Sequence, residues 1–152
     1  MLPNNPTLLY DRAMLYESTD QMDKAEADLL QIIKDDPKNF EAYNALGYSL
    51  ADHDMQLDKA YEYVQKANEM SPDNAAIIDS LGWAEYKLGK YTEAEAHFKQ
   101  ALDMSIEDSE LYIHLYKTLL KLDKVGEAQE VIKKAGELFP NNEKIKKIIT
   151  AE

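Results

Sequence analysis

The chain has 152 residues, is 45% hydrophobic and 30% charged, and carries a formal net charge of −12 at pH 7. The acidic balance excludes a phosphate-binding nucleic-acid surface, which needs a basic face, and the apolar content excludes a disordered chain. With no cysteine, disulfides and thiol chemistry are excluded, and no apolar run is long enough to insert directly into a membrane.

The elements follow a period. Pro3-Asn4-Asn5, Pro37-Lys38-Asn39, Pro72-Asp73-Asn74 and Pro140-Asn141-Asn142 are corners of one kind, and Ile106-Glu107-Asp108 fills the remaining slot, giving spacings of 34, 35, 34 and 34. A fixed period of this size means one supersecondary unit stacked on copies of itself. Each unit reads as two amphipathic helices, over about 6–39, 40–74, 75–108 and 109–142, with a terminal helix over about 143–150. In the first unit, Asn5 before Pro6 reads as an N-cap with proline at the first helical position, and Asp23 with Glu26 reads as a capping box opening the second helix. The second unit has one extra residue in its turn, between Asp52 and Asp58. The third is the most regular: Ile78, Leu81, Gly82, Tyr91, Ala94, Phe98, Ala101 and Met104 fall at helical spacings either side of Gly89. Gly82 permits close helix approach, Gly89 can take the positive φ that ends the first helix, and Thr92 with Glu95 reads as a second capping box. Small residues recur in the second helices at Ala25, Ala60, Ala94 and Ala128, and again at Ala67, Ala101 and Ala135. The terminal helix sets Ile145, Ile148 and Ile149 against Lys144, Lys146 and Lys147, an apolar side to cover unit four and a polar side for water.

These residues resemble the tetratricopeptide repeat family. The family's Leu-Gly, Gly-x-Tyr, Ala, Phe, Ala, Pro pattern is carried by Leu81-Gly82, Gly89, Tyr91, Ala94, Phe98 and Ala101, and by Leu46-Gly47, Ala60, Ala67 and Pro72. Departures are Arg12-Ala13 and Leu115-Tyr116 where Leu-Gly is usual, and Ile106 at a corner. The resemblance implies an all-α, right-handed α-solenoid of about four helix-turn-helix units plus a C-terminal capping helix. A narrower resemblance rests on Leu9-Tyr10-Asp11-Arg12-Ala13, Asn44-Ala45-Leu46-Gly47-Tyr48-Ser49-Leu50-Ala51-Asp52 and Asp79-Ser80-Leu81-Gly82-Trp83. These look like the C-terminal repeats of certain proteobacterial tetratricopeptide lipoproteins. That implies the C-terminal part of a longer, outer-membrane-anchored protein facing the periplasm, acting as adaptor for a carboxyl-terminal processing protease or its substrates. Leu2-Pro3-Asn4-Asn5 echoes Phe139-Pro140-Asn141-Asn142, so the chain is expected to begin where a preceding repeat would end. Its N-terminal edge then has no cap, which invites a homodimer.

In this fold the first helices line the concave side. The inward positions expected to form a peptide-binding groove are Tyr10 and Met14; Asn44 and Tyr48; Asp79, Trp83, Tyr86 and Lys87; and Ile113, His114 and Lys117. Aromatic side chains with hydrogen-bonding tips are common anchors of such interfaces. The Lys/Asn two-carboxylate clamp of some family members is not matched, since of the positions it needs only Asn44 qualifies. No catalytic constellation stands out. His53, His97 and His114 lie in different units without zinc spacing, so no metal site is expected, nor any cofactor. Phosphate loops and nucleophile elbows are absent from the sequence. The expectation is therefore a non-catalytic module that binds a protein or peptide, with a plain structural spacer or oligomerisation module as the alternative.

Overall fold

The computed structural model describes residues 5–104 and 107–151; the readings placed on Leu2, Pro3, Asn4 and Ile106 lie outside them. Among the described residues the chain forms nine helices and no strand: α1 (Pro6–Ser18), α2 (Met22–Asp35), α3 (Phe40–Asp52), α4 (Leu57–Met70), α5 (Ala75–Lys87), α6 (Tyr91–Met104), α7 (Ser109–Lys121), α8 (Val125–Leu138) and α9 (Glu143–Ala151). Each helix packs on the next, and α3 also touches α5, as α5 touches α7. The odd-numbered helices thus lie side by side as one wall of an all-α solenoid. No described helix is long and apolar enough to cross a membrane.

The recurring corner asparagine has a physical task. Asn5, Asn39, Asn74, Asp108 and Asn142 each precede an odd-numbered helix, and each side chain accepts a backbone N–H of the first turn. The donors are Leu8 at 3.1 Å, Ala42 at 3.0 Å, Ala76 at 3.0 Å, Glu110 at 3.0 Å and Ile145 at 3.1 Å. An N-cap of this kind satisfies one of the orphan donors that every helix start leaves. Asp108 does the same work as the asparagines, which is why the period survives without its proline.

The even-numbered helices start differently, and here the sequence reading is corrected. Asp23 lies inside α2, behind Gln21, whose side chain makes no capping bond, and Thr92 lies inside α6. Neither is an N-cap. Glu95 instead takes Lys99 at 2.6 Å and Lys124 at 2.9 Å. What shapes these turns is the end of the preceding helix. Asp20, Asp54, Gly89 and Asp123 all have positive φ, at 58°, 55°, 81° and 58°. The next residue in each case donates its N–H back across the turn: Gln21 to Tyr16 O at 2.8 Å, Met55 to Leu50 O at 2.8 Å, Lys90 to Glu85 O at 2.8 Å and Lys124 to Leu119 O at 2.9 Å. This is the Schellman closure, made four times, once with glycine and three times with aspartate. The extra residue of unit two follows it, so that Gln56 also has positive φ, at 45°.

The small residues set the spacing of the layers. Ala25, Ala60, Ala94, Ala128, Ala67, Ala101 and Ala135 are all fully buried. A Cβ on Gly47 would meet Val64 and lie 2.7 Å from the Ala60 carbonyl, and one on Gly82 would lie 2.7 Å from the Phe98 ring. Helices approach that closely only with no side chain between them. In unit one the outer face of α1 is open: Leu8 is 48% and Leu15 62% exposed, whereas the residues at the same places in later units (Ala42, Ile77, Leu111 and Ile145; Ser49, Ala84 and Thr118) are buried.

Candidate functional site

The wall of odd-numbered helices presents the residues expected to form the groove. Tyr10 and Met14 lie on α1, Asn44 and Tyr48 on α3, Asp79, Trp83, Tyr86 and Lys87 on α5, and Ile113, His114 and Lys117 on α7. They divide by exposure. Tyr10, Met14, Asn44, Tyr48, Tyr86 and Lys87 are half-buried and Lys117 is exposed. Asp79, Trp83, Ile113 and His114 are buried. These four stand behind the surface as its support, not on it as anchors.

The support has a definite construction. Trp83 is only 5% exposed, and its Nε1 donates to Asp52 Oδ1 at 3.1 Å. The Tyr86 ring is stacked on Trp83 at 5.0 Å and 5°, and the His114 ring at 4.2 Å and 19°. His114 Nδ1 lies 2.9 Å from Asp79 Oδ1, so the buried imidazole and the buried carboxylate satisfy each other. Tyr48 leans on the same imidazole at 6.4 Å. Two ammonium groups sit over Trp83, Lys87 at 5.1 Å and Lys117 at 5.8 Å from the ring centre, within cation–π range. Burial raises the phenol pKa of Tyr48, with the negative charges of Asp52, Asp79, Glu110 and Asp108 adding to it; burial also raises those of Tyr10 and Tyr86. All three therefore present neutral hydroxyl tips, able to donate and accept.

At the α1–α3 end, two open hollows meet at Tyr10. One, of about 220 Å³, is lined by Pro6, Thr7, Tyr10, Asp11, Asn39 and Glu41. Its neighbour, of about 350 Å³, reaches Phe40, Asn44, Asn74, Ala76 and Ile77. Asp11 and Glu41 did not figure among the groove residues read from the sequence, because nothing in the spacing shows that they share a hollow with Tyr10; the fold brings them to it.

Among the described residues, Glu17, Asp52 and His53 form the one group whose metal-ligating atoms lie within 4.8 Å of one another. Those atoms are already engaged: His53 Nδ1 with Ser49 O at 2.9 Å and Asp52 Oδ1 with the indole of Trp83. His53 also approaches Glu17 at 3.9 Å and Asp20 at 3.6 Å.

Tetratricopeptide repeat family models match residues 10–75 and 59–109, and a further one matches 85–151. A tetratricopeptide repeat-containing protein of Pseudomonas aeruginosa is 42% identical over 113 residues, 74% of this chain and 19% of that protein; the chain thus spans about a fifth of that relative. Among solved structures, a thermophilic tetratricopeptide repeat protein of Thermus thermophilus superposes with a TM-score of 0.87 at 22% identity, covering 98% of this chain and 81% of that one. A MamA fragment from Desulfovibrio magneticus gives a TM-score of 0.77 at 21% identity, over 92% and 78% of the two chains. With family models running from α1 into α9 and the same fold in these structures, the chain belongs to the tetratricopeptide repeat family.

Proposed function

We propose that this chain is a non-catalytic interaction module that holds an extended protein or peptide segment against the odd-numbered helices, as an adaptor or scaffold. The observation that carries this reading is the row of half-buried aromatic and apolar side chains, Tyr10, Met14, Tyr48 and Tyr86, over the rigid Trp83–His114–Asp79 support. Rigid amphipathic rings give contact area at small entropic cost. The setting that goes with this reading is the Gram-negative envelope, as part of a longer outer-membrane lipoprotein facing the periplasm; it rests on the resemblance of the segments around Tyr10, Tyr48 and Trp83 to proteobacterial tetratricopeptide lipoproteins. A carboxyl-terminal processing protease or its substrates are the partner class that goes with that setting. The test is a peptide array tiled over envelope proteins, probed with the wild type and with a Tyr10→Ala, Met14→Ala, Lys117→Ala variant of equal helicity. Discrete segments bound by the wild type and lost in the variant support the groove. Equal binding by both, or none by either, rejects it.

A second reading is an oligomerisation module. It is motivated by Leu8 and Leu15, exposed where every later unit is covered, an apolar face that either a further repeat or a second copy would bury. Sedimentation across a concentration series tests it: Leu15→Lys should abolish any dimer, and a monomer at all concentrations rejects the reading.

A further inference from the structure

The charges along this face sort into those that are paired and those that are not. Lys87 holds Asp54 at 3.0 Å, Lys144 holds Glu110 at 2.7 Å, and His114 lies against Asp79. On α1, α3, α5 and α7, Asp11, Glu41, Asp52, Lys117 and Lys121 have no ion-pair partner among the described residues; Asp52 is held by the Trp83 indole, and the other four separate by sign. Asp11 and Glu41 are both exposed, line the hollow beside Tyr10, and lie at the α1–α3 end. Lys117 and Lys121 are both exposed and stand one turn apart at the α7 end, Lys117 over the Trp83 ring. Between the two ends run Met14, Tyr48 and Tyr86, with Asp52 beside them, its carboxylate engaged by the Trp83 indole.

We infer that the groove binds its segment in one polarity: a lysine or arginine side chain enters the Tyr10–Asp11–Glu41 hollow, and an acidic side chain lies over Lys117 and Lys121. This rests on the groove reading proposed above and specifies the partner's chemistry. An aromatic wall with two carboxylates at its rim suits a cationic side chain through charge and cation–π contact together. Two ammonium groups one helical turn apart suit a carboxylate. The same arrangement disfavours the reversed segment, because like charges would then meet at both ends. Neighbouring odd-numbered helices stand about 10 Å apart, so the two ends are roughly 20–30 Å apart, and an extended chain at about 3.3 Å per residue spans that with about six to nine residues. That separation exceeds the Debye length of about 10 Å at 0.1 M salt, so the two ends act as separate contacts, each weakened by added salt.

The experiment uses two capped, fluorescein-labelled peptides of the same composition. In the first, two arginines and two glutamates flank a mostly apolar stretch of about eight residues, spaced for the two ends by the estimate above. In the second, the arginines and glutamates alternate. Fluorescence anisotropy should show the first binding at least about tenfold tighter than the second. The exposed pair Lys117→Glu, Lys121→Glu should lose that advantage, and should regain affinity for a third peptide carrying arginine at both ends. A photo-crosslinker at the arginine end should label α1 or α3 and not α7. Equal affinity for the first two peptides, both lost in Tyr10→Ala, would overturn the polarity and leave the groove. No binding by either peptide would overturn both. Crosslinks from the arginine end to α7 would overturn the assignment of the two ends.

Discussion

The indole Nε1 of Trp83 donates to Asp52 Oδ1 at 3.1 Å, joining the third unit to the last residue of the first helix of the second. With Tyr86 and His114 stacked on the ring, this makes Trp83 a strut between units. Trp83→Ala should cost about 3–5 kcal/mol in a denaturant titration, the range for truncating a buried large aromatic, whereas Trp83→Phe should cost less because a six-membered ring is kept for stacking, although the pyrrole half of the indole and its bond to Asp52 are lost. If Trp83→Ala leaves the midpoint unchanged, the strut assignment fails.

Glu85 is almost wholly buried. It accepts from Tyr61 Oη at 2.8 Å and takes His97 Nδ1 at 2.5 Å. The hydrogen bond to Glu85 raises the His97 pKa above its ordinary value; burial opposes the shift, and the charges of Glu85 and Glu93 add to it. The same carboxylate helps to push the Tyr61 phenol up to about 12, after burial. A folded-state His pKa above the unfolded one means stability fully present below about pH 6.5 and lost as pH rises through the folded value. The urea midpoint should therefore fall from pH 6 toward pH 8, and His97→Gln should flatten that decline. An equally steep decline in the variant would assign it to other groups.

Asp123 holds a positive φ of 58° where unit three uses Gly89, and its side chain forms no hydrogen bond or ion pair with the described residues. Asp123→Gly should stabilise the chain by about 0.5–1 kcal/mol, since glycine takes this conformation without a Cβ penalty. Gly89→Ala should do the reverse by about 1 kcal/mol. Thermal unfolding of the two variants checks both signs.

Gly47 and Gly126 offer a contrast within one family of helices. A methyl group on Gly47 meets the Ala60 carbonyl and Val64, while one on Gly126 meets nothing within 4 Å. Gly47→Ala should destabilise by about 1–3 kcal/mol through overpacking, and Gly126→Ala should stabilise by up to about 1 kcal/mol through helix propensity. Similar midpoints for the two would show that the α3–α4 contact yields more readily than its geometry implies.

The period of the corner motif, the alanine ridges and the Leu-Gly pairs made the solenoid legible, because each records a local requirement repeated unit by unit: an N-cap, a close helix contact, an apolar stripe. Gly89 announced its positive φ for the same reason. Asp20, Asp54 and Asp123 did not, since aspartate is at home in many conformations and only the back-donated N–H shows which one it holds. The capping boxes assigned to Asp23 and Thr92 failed similarly: the pattern fits a helix start, yet the preceding Schellman closure begins each helix earlier.

At the candidate site, residue type and spacing placed eleven side chains on the odd-numbered helices but left their exposure open. A helical period gives the direction of a side chain relative to its own axis; it does not say how far the neighbouring unit leans over it. The sequence by itself determined the repeat and the pairing of helices, both consequences of local periodicity, while the choice of the first helices as the candidate surface came from the family resemblance. Only the tertiary structure decided that Trp83, His114, Asp79 and Ile113 are support, and that Asp11 and Glu41 stand apart from Lys117 and Lys121. Burial and charge pairing depend on distances between units that no single unit encodes.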